Sequence, residues 1–225
     1  MGESIWEVPI PTFELIMSNK NIDLRLVAAL ILISKRDCYG RCNEPDERYI
    51  YNNDLSIKRE EIKYILGFSE STYKRKFKAL RDANIIRHVF SKKDGVTDLI
   101  YYLKCKLQVG EDYKFFTTIK SDLLEDILIK TDDKSFKIYC AIKYKSFASC
   151  GIVSLTYNWF ANTIGFSSNS KDCIASALKN LQDNNFISIV EERIEHKKEV
   201  NGRMIANPII RKYYSLIIPE VKNYG

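Results

Sequence analysis

Two passages of this chain repeat one another, and that repeat limits the fold more than any other feature of the sequence. Ile65-Leu66-Gly67-Phe68-Ser69 is followed by Lys78-Ala79-Leu80-Arg81-Asp82-Ala83-Asn84-Ile85-Ile86. The same plan returns as Thr163-Ile164-Gly165-Phe166-Ser167, followed by Lys179-Asn180-Leu181-Gln182-Asp183-Asn184-Asn185-Phe186-Ile187. The two glycines lie 98 residues apart and Leu80 and Leu181 lie 101 apart, so the second copy carries three extra residues within Ser167 to Ser170. The match continues upstream. The apolar run Leu26 to Ile33 has its counterpart in Phe136 to Tyr144. Before each comes an extended piece, Val8-Pro9-Ile10-Pro11 in one copy and Phe116-Thr117-Thr118-Ile119 in the other, and then an apolar turn. Two units of this size are too few for a solenoid, and a duplicated domain is the simpler reading. The expected domains are 1–107 and 113–220, with the polar, glycine-containing stretch Gln108 to Asp112 as the boundary.

Each unit reads as a helix-turn-helix followed by a β-hairpin. In the first, Ile57, Ile62, Ile65 and Leu66 have helical spacing over 55–66, with Ser56 as the expected N-cap and Gly67 where a left-handed C-cap belongs. Ser69 then caps a second helix whose buried stripe is Tyr73, Phe77 and Leu80. Ile85 to Phe90 and Leu99 to Leu103 read as strands joined through Asp94-Gly95, with a third strand at Arg48 to Tyr51. In the second unit, Val153 to Ile164 is the first helical region, with Phe160 and Ile164 inward. Ser170 caps the next helix, whose stripe is Ile174, Leu178 and Leu181. Phe186 to Arg193 and Ile209 to Leu216 are the strands, with Asn201-Gly202 at the turn.

Leu66-Gly67-Phe68-Ser69 with Ser71-Thr72-Tyr73, Phe77, Leu80 and Asn84-Ile85-Ile86 resembles the bacterial winged-helix family. The resemblance implies an α+β fold of two tandem winged-helix domains that bind double-stranded DNA. The tandem arrangement in a small basic chain is most similar to plasmid or phage replication initiators. A transcription regulator that binds an operator as a homodimer is a second reading. A protein–protein adaptor built on winged helices is a third.

A recognition helix packs its apolar stripe on its own domain and offers the other face to the major groove. In the first unit that face holds Ser69, Ser71, Thr72, Lys74, Arg75, Lys78 and Arg81, and Lys74 to Arg81 includes five basic residues and no acid. Arg and Lys suit guanine edges and phosphates, and hydroxyls suit phosphates or bases. Lys92 and Lys93 at the wing tip should meet backbone phosphate or a minor groove. The second unit offers Ser170, Lys171, Ser176, Lys179 and Asn180, with Lys197, Lys198 and Arg203 on a longer wing, but Asp172 opposes DNA.

Composition narrows the alternatives. The formal net charge is +6, and both halves are mildly basic. No run of about 18 apolar residues occurs, so no membrane span is expected. The amino terminus has no signal-peptide pattern, which points to the cytoplasm and to reduced thiols for the six cysteines. Cys38 and Cys42 have no second tight pair to complete a zinc site, so no metal is expected. Two distant histidines and no nucleotide-binding or hydrolase motif leave no expectation of an enzyme or a cofactor. The partners implied are double-stranded DNA, a second copy of the chain, and replication or transcription proteins.

Overall fold

The computed structural model describes residues 7–12, 14–36, 48–93, 96–103, 107–109, 112–114, 116–147, 151–166, 171–195, 197–200, 203–206 and 209–217. The architecture is α+β, with small antiparallel sheets around central helices. The amino-terminal half runs β1 (Glu7–Pro11), α1 (Glu14–Met17), α2 (Leu24–Ile33), β2 (Lys35–Arg36), β3 (Arg48–Tyr51), α3 (Asn52–Leu66), α4 (Glu70–Asp82), β4 (Ile86–Lys93) and β5 (Val96–Leu103). A short hairpin, β6 (Leu107–Val109) and β7 (Asp112–Lys114), spans the expected boundary. The carboxy-terminal half runs β8 (Phe116–Lys120), α5 (Ser121–Lys130), α6 (Asp133–Phe147), β9 (Ile152–Ser154), α7 (Tyr157–Thr163), α8 (Lys171–Asp183), β10 (Ile187–Ile194), β11 (Lys197–Val200), β12 (Arg203–Ala206) and β13 (Ile209–Leu216).

The repeat is visible in backbone geometry. Both α3 and α7 end in a turn whose left-handed residue is glycine, Gly67 at φ 66° and Gly165 at φ 73°. In each, the next N–H donates five residues back, Phe68 to Lys63 (2.8 Å) and Phe166 to Ala161 (2.7 Å). Both α4 and α8 end at a left-handed asparagine, Asn84 and Asn185, and Ile85 and Phe186 donate to Leu80 and Leu181, each at 2.9 Å. The sheets match as well. β4 pairs with β5 and β5 with β3; likewise β10 pairs with β13 and β13 with β9.

Three local expectations change. Helix α3 starts at Asn52 with Tyr51 as its cap, so Ser56 lies inside the helix and donates to the Asn52 carbonyl at 2.8 Å. The earlier start rotates Leu55 inward, and Ile57, expected in the core, is 67% exposed. In the second unit, 152–154 form a strand. Its first helix begins only at Tyr157, capped by Thr156, because β13 claims this segment as the third strand.

The halves share one hydrophobic core. Helix α2 is apolar on nearly every side and is buried from Leu26 to Ile31, while α6 buries Phe136, Ile138, Tyr139 and Ile142. These two helices pack on each other at the centre. The duplicated strands β1 and β8 pair antiparallel, from Glu7 opposite Lys120 to Pro11 opposite Phe116. Equivalent elements of the two halves therefore meet as the two copies of a dyad-related dimer would.

Polar groups fix this seam. The amino termini of α2 and α6 face each other, and carboxylates stabilise both positive ends. Asp23 caps α2 by accepting from Arg25 and Leu26 N–H (3.1 and 3.4 Å), and Asp132 caps α6 by accepting from Ser135 N–H (2.8 Å). Asp133 of α6 crosses the seam and accepts from Leu24 N–H at 2.6 Å. Lys137, 2% exposed, lies 3.2 Å from Asp133 and donates to the carbonyls of Asn19 (3.0 Å) and Ile22 (2.9 Å). In return, Arg25 donates to the Thr131 carbonyl at 2.7 Å. Burial, then the Asp23 carboxylate, push Asp133 up to about 6, and Lys137 and the Leu24 N–H oppose them.

The two glycine turns are not equivalent in space. A Cβ at Gly67 would meet nothing within 4 Å, whereas at Gly165 it would lie 1.8 Å from the Ser18 carbonyl oxygen. Gly67→Ala should cost about 1–2 kcal/mol, the strain of a left-handed alanine. Gly165→Ala should cost roughly 2–5 kcal/mol, because the Ser18 backbone must also move. Denaturant unfolding of both variants checks this; equal losses would show that the turn does not seat on Ser18. Asp133 gives a second expectation. Its protonated form is favoured in the folded chain, so its contribution to stability is full below its unfolded value of 3.8 and is lost as pH rises through about 6. From pH 7 to pH 5 the wild type should gain about 1 kcal/mol over the Asp133→Asn variant. Parallel pH profiles for the two chains would contradict the enclosure of this half-buried carboxyl beside Asp23.

Candidate nucleic-acid interface

Helix α4 docks through one face and leaves a basic face in solvent. Tyr73 and Leu80 are buried and Phe77 is half-buried. The Tyr73 ring stacks on Phe77 at 5.7 Å, and Phe77 meets Tyr101 of β5 edge-on at 5.6 Å. The Arg59 guanidinium of α3 sits 5.2 Å above the Tyr73 ring. Burial pushes the Tyr73 hydroxyl up to about 12, so it stays neutral. This aromatic stack sets the rotation of α4 about its axis and so decides which residues face out.

The outward residues differ in how free they are. Ser69 is the N-cap of α4. Its hydroxyl accepts from Thr72 N–H at 3.2 Å and lies within 3.1 Å of the Ser71 and Thr72 hydroxyls. That hydroxyl is committed to the helix start. Glu70 gathers three cations: Arg59, Lys63 at 3.1 Å and Lys74 at 3.3 Å. Arg75, Lys78 and Arg81 are exposed, and among the described residues none of them has an ion-pair partner. The same holds for Lys76, which is half-buried.

Sequence reasoning passed over Lys76, and with it a cleft. Lys20, Asn21, Arg75, Lys76, Lys78 and Asp82 line a space of about 710 Å³ between α4 and the turn after α1. The signal was present in the unbroken basic run Lys74-Arg75-Lys76, but only the fold brings Lys20 beside it. The Lys20 ammonium also lies 5.3 Å from the centroid of the Phe166 ring, and Lys134 approaches the same ring at 5.3 Å. The glycine turn of the second unit is thus held between lysines of both halves.

Helix α8 buries Ile174, Ala177, Leu178 and Leu181. Lys171, Asp172, Cys173, Ala175, Ser176 and Lys179 are exposed. Asn180, expected on the outer face, is half-buried, and its side-chain oxygen has no hydrogen-bond partner among the described residues. Cys173 is a free thiol 3.6 Å from the Lys134 ammonium, while Cys140 is enclosed in α6 and its thiol is pushed up by burial.

The hairpins expected to be wings differ in length. In the first half β4 and β5 pair through Lys92 opposite Thr97 to Lys93 opposite Val96. In the second, the β10–β13 pair is followed by β11–β12, which brings Lys197 opposite Ala206, Lys198 opposite Ile205 and Val200 opposite Arg203. The side chains of Lys92, Lys93, Lys197, Lys198 and Arg203 lie outside the described residues, as do Ser170, both wing turns and the Cys38–Cys42 pair.

Among the described residues no three His, Cys, Asp or Glu side chains converge as metal ligands would, and no helix is long and apolar enough to cross a membrane. Comparison of the chain with protein-family models, with curated proteins and with solved structures finds no match.

Proposed function

We propose that the chain binds double-stranded DNA in a sequence-specific way through two winged-helix units in tandem, and serves as a plasmid or phage replication initiator. The carrying observation is the outer face of α4. Tyr73, Phe77 and Leu80 fix the helix to its own half, and Arg75, Lys78 and Arg81 are left exposed with no ion-pair partner among the described residues. Unpaired cations on the second helix of a helix-turn-helix match what phosphates and guanine edges require. The hairpin that follows, ending in Lys92 and Lys93, suits a wing that grips the backbone.

The second unit takes a lesser part. Helix α8 exposes Lys171 and Lys179 against Asp172, so its charge contributes little to affinity. Ser176 remains as a neutral group for base contact. The dyad-like pairing of β1 with β8 supports one chain engaging two successive grooves. Directly repeated binding sites beside the gene accord with an initiator, and a single operator at a promoter accords with a regulator.

Duplex binding by a Lys74→Ala, Arg75→Ala, Lys78→Ala triple variant tests the reading. Affinity should fall at least about 100-fold, since each good base or phosphate contact is worth about 1–3 kcal/mol. The dependence of log affinity on log salt should flatten by about 2–3, because each phosphate that the variant no longer neutralises removes about 0.9 from the slope. An unchanged affinity and slope would remove α4 from the interface.

A further inference from the structure

We propose that the cleft between α4 and the turn 19–22 is a phosphate-binding site, lined by the first half, braced from behind by the second, and filled by the DNA backbone. Four cations, Lys20, Arg75, Lys76 and Lys78, line it against one carboxylate, Asp82. Arg75, Lys76 and Lys78 have no ion-pair partner among the described residues, so Asp82 is the one lining group that offsets their mutual repulsion, and a further negative charge is needed to offset the rest. An anion in the cleft does so. The space, about 710 Å³, takes a run of phosphates, and the Asn19 and Asn21 amides add hydrogen-bond donors to the wall.

The wall opposite α4 is held in place before any ligand arrives. Asn21 N–H donates to the Asn19 side chain at 3.0 Å. The Asn19 and Ile22 carbonyls are gripped by Lys137 of the other half, and Lys20 packs on Phe166 of the second glycine turn. A site held this rigidly has little ordering cost to meet on binding. Its position beside α4, with the Phe166 turn that precedes α8 at its edge, suits the stretch of backbone that passes from one recognition helix toward the other. Only the DNA source of the phosphate rests on the function proposed above. The chemistry required by the cleft, several adjacent phosphates, is also that of a free nucleoside triphosphate.

The test uses the full chain with Lys20→Ala and Lys76→Ala together, beside a Lys20→Arg, Lys76→Arg control whose melting temperature reports folding. Duplex affinity is measured over a salt series on a selected and on a scrambled sequence, and tripolyphosphate and ATP binding by calorimetry. The expected result is a flattening of the salt slope by about 1–2, equal on both sequences, with no change in the preferred sequence and with rescue in the arginine control. Tight tripolyphosphate or ATP binding that the alanine pair abolishes, with the duplex slope unchanged, assigns the cleft to a free phosphate ligand. If the wild type binds tripolyphosphate through these lysines but no duplex, the cleft stands and the DNA reading fails. If the duplex slope is unchanged and neither tripolyphosphate nor ATP binds, the proposal is overturned, even where the α4 triple variant no longer binds DNA.

Discussion

Two helix amino termini meet in the centre of the molecule, and the way the two halves sit on each other depends on that meeting. Two positive helix ends repel unless negative charge lies between them. Asp23 and Asp132, the caps of the two helices, supply that charge, while Asp133, whose enclosure beside Asp23 favours its protonated form, ties the halves together by accepting from Leu24 N–H. Lys137 and Arg25 complete the network by reaching into the opposite half for backbone carbonyls. The interaction is directional: carbonyls at Asn19, Ile22 and Thr131 must sit where the two cations end. Apolar packing of α2 on α6 supplies affinity between the halves, and this network supplies their register. The β1–β8 ribbon and the contact of Gly165 on Ser18 then follow as close-range consequences.

Local chemistry was legible in the sequence and long-range pairing was not. Gly67, Gly165, Asn84 and Asn185 mark left-handed turns because few other residues adopt that conformation at low cost. The order of strands after α4 and α8 could be read from alternation and turn residues alone. Ile57 misled because helical spacing is nearly as good one turn later; the true start at Asn52 is decided by β3, which ends at Tyr51. The strand at Ile152–Ser154 was hidden in the same way, since its partner β13 lies some sixty residues on. Lys137 reads as a surface lysine in any single-helix pattern, and only the other half explains its burial.

The candidate site divides along the same line. The basic face of α4 could be read from its sequence, because an apolar stripe at one angle leaves the opposite angle exposed. Which of its cations are free could not: Lys74 is drawn to Glu70, while Lys76 lines the same cleft as Lys20. The two halves therefore differ in charge while sharing their turns. α4 concentrates cations, most of them without an ion-pair partner among the described residues, α8 is close to neutral, and the second hairpin is extended by β11 and β12. In the proposed reading affinity resides in the first half, and the second adds register along the DNA.

In the proposed reading one chain, through its seam, holds two recognition helices for one stretch of duplex. The direct measurement is footprinting of the full chain on a duplex selected from a random pool, with the mass of the complex determined. The account predicts one chain per site and two protected major-groove segments on one face of the DNA, about one helical turn or 10 base pairs apart. A single protected segment, two chains needed for two segments, or a pool from which no duplex is enriched would contradict it.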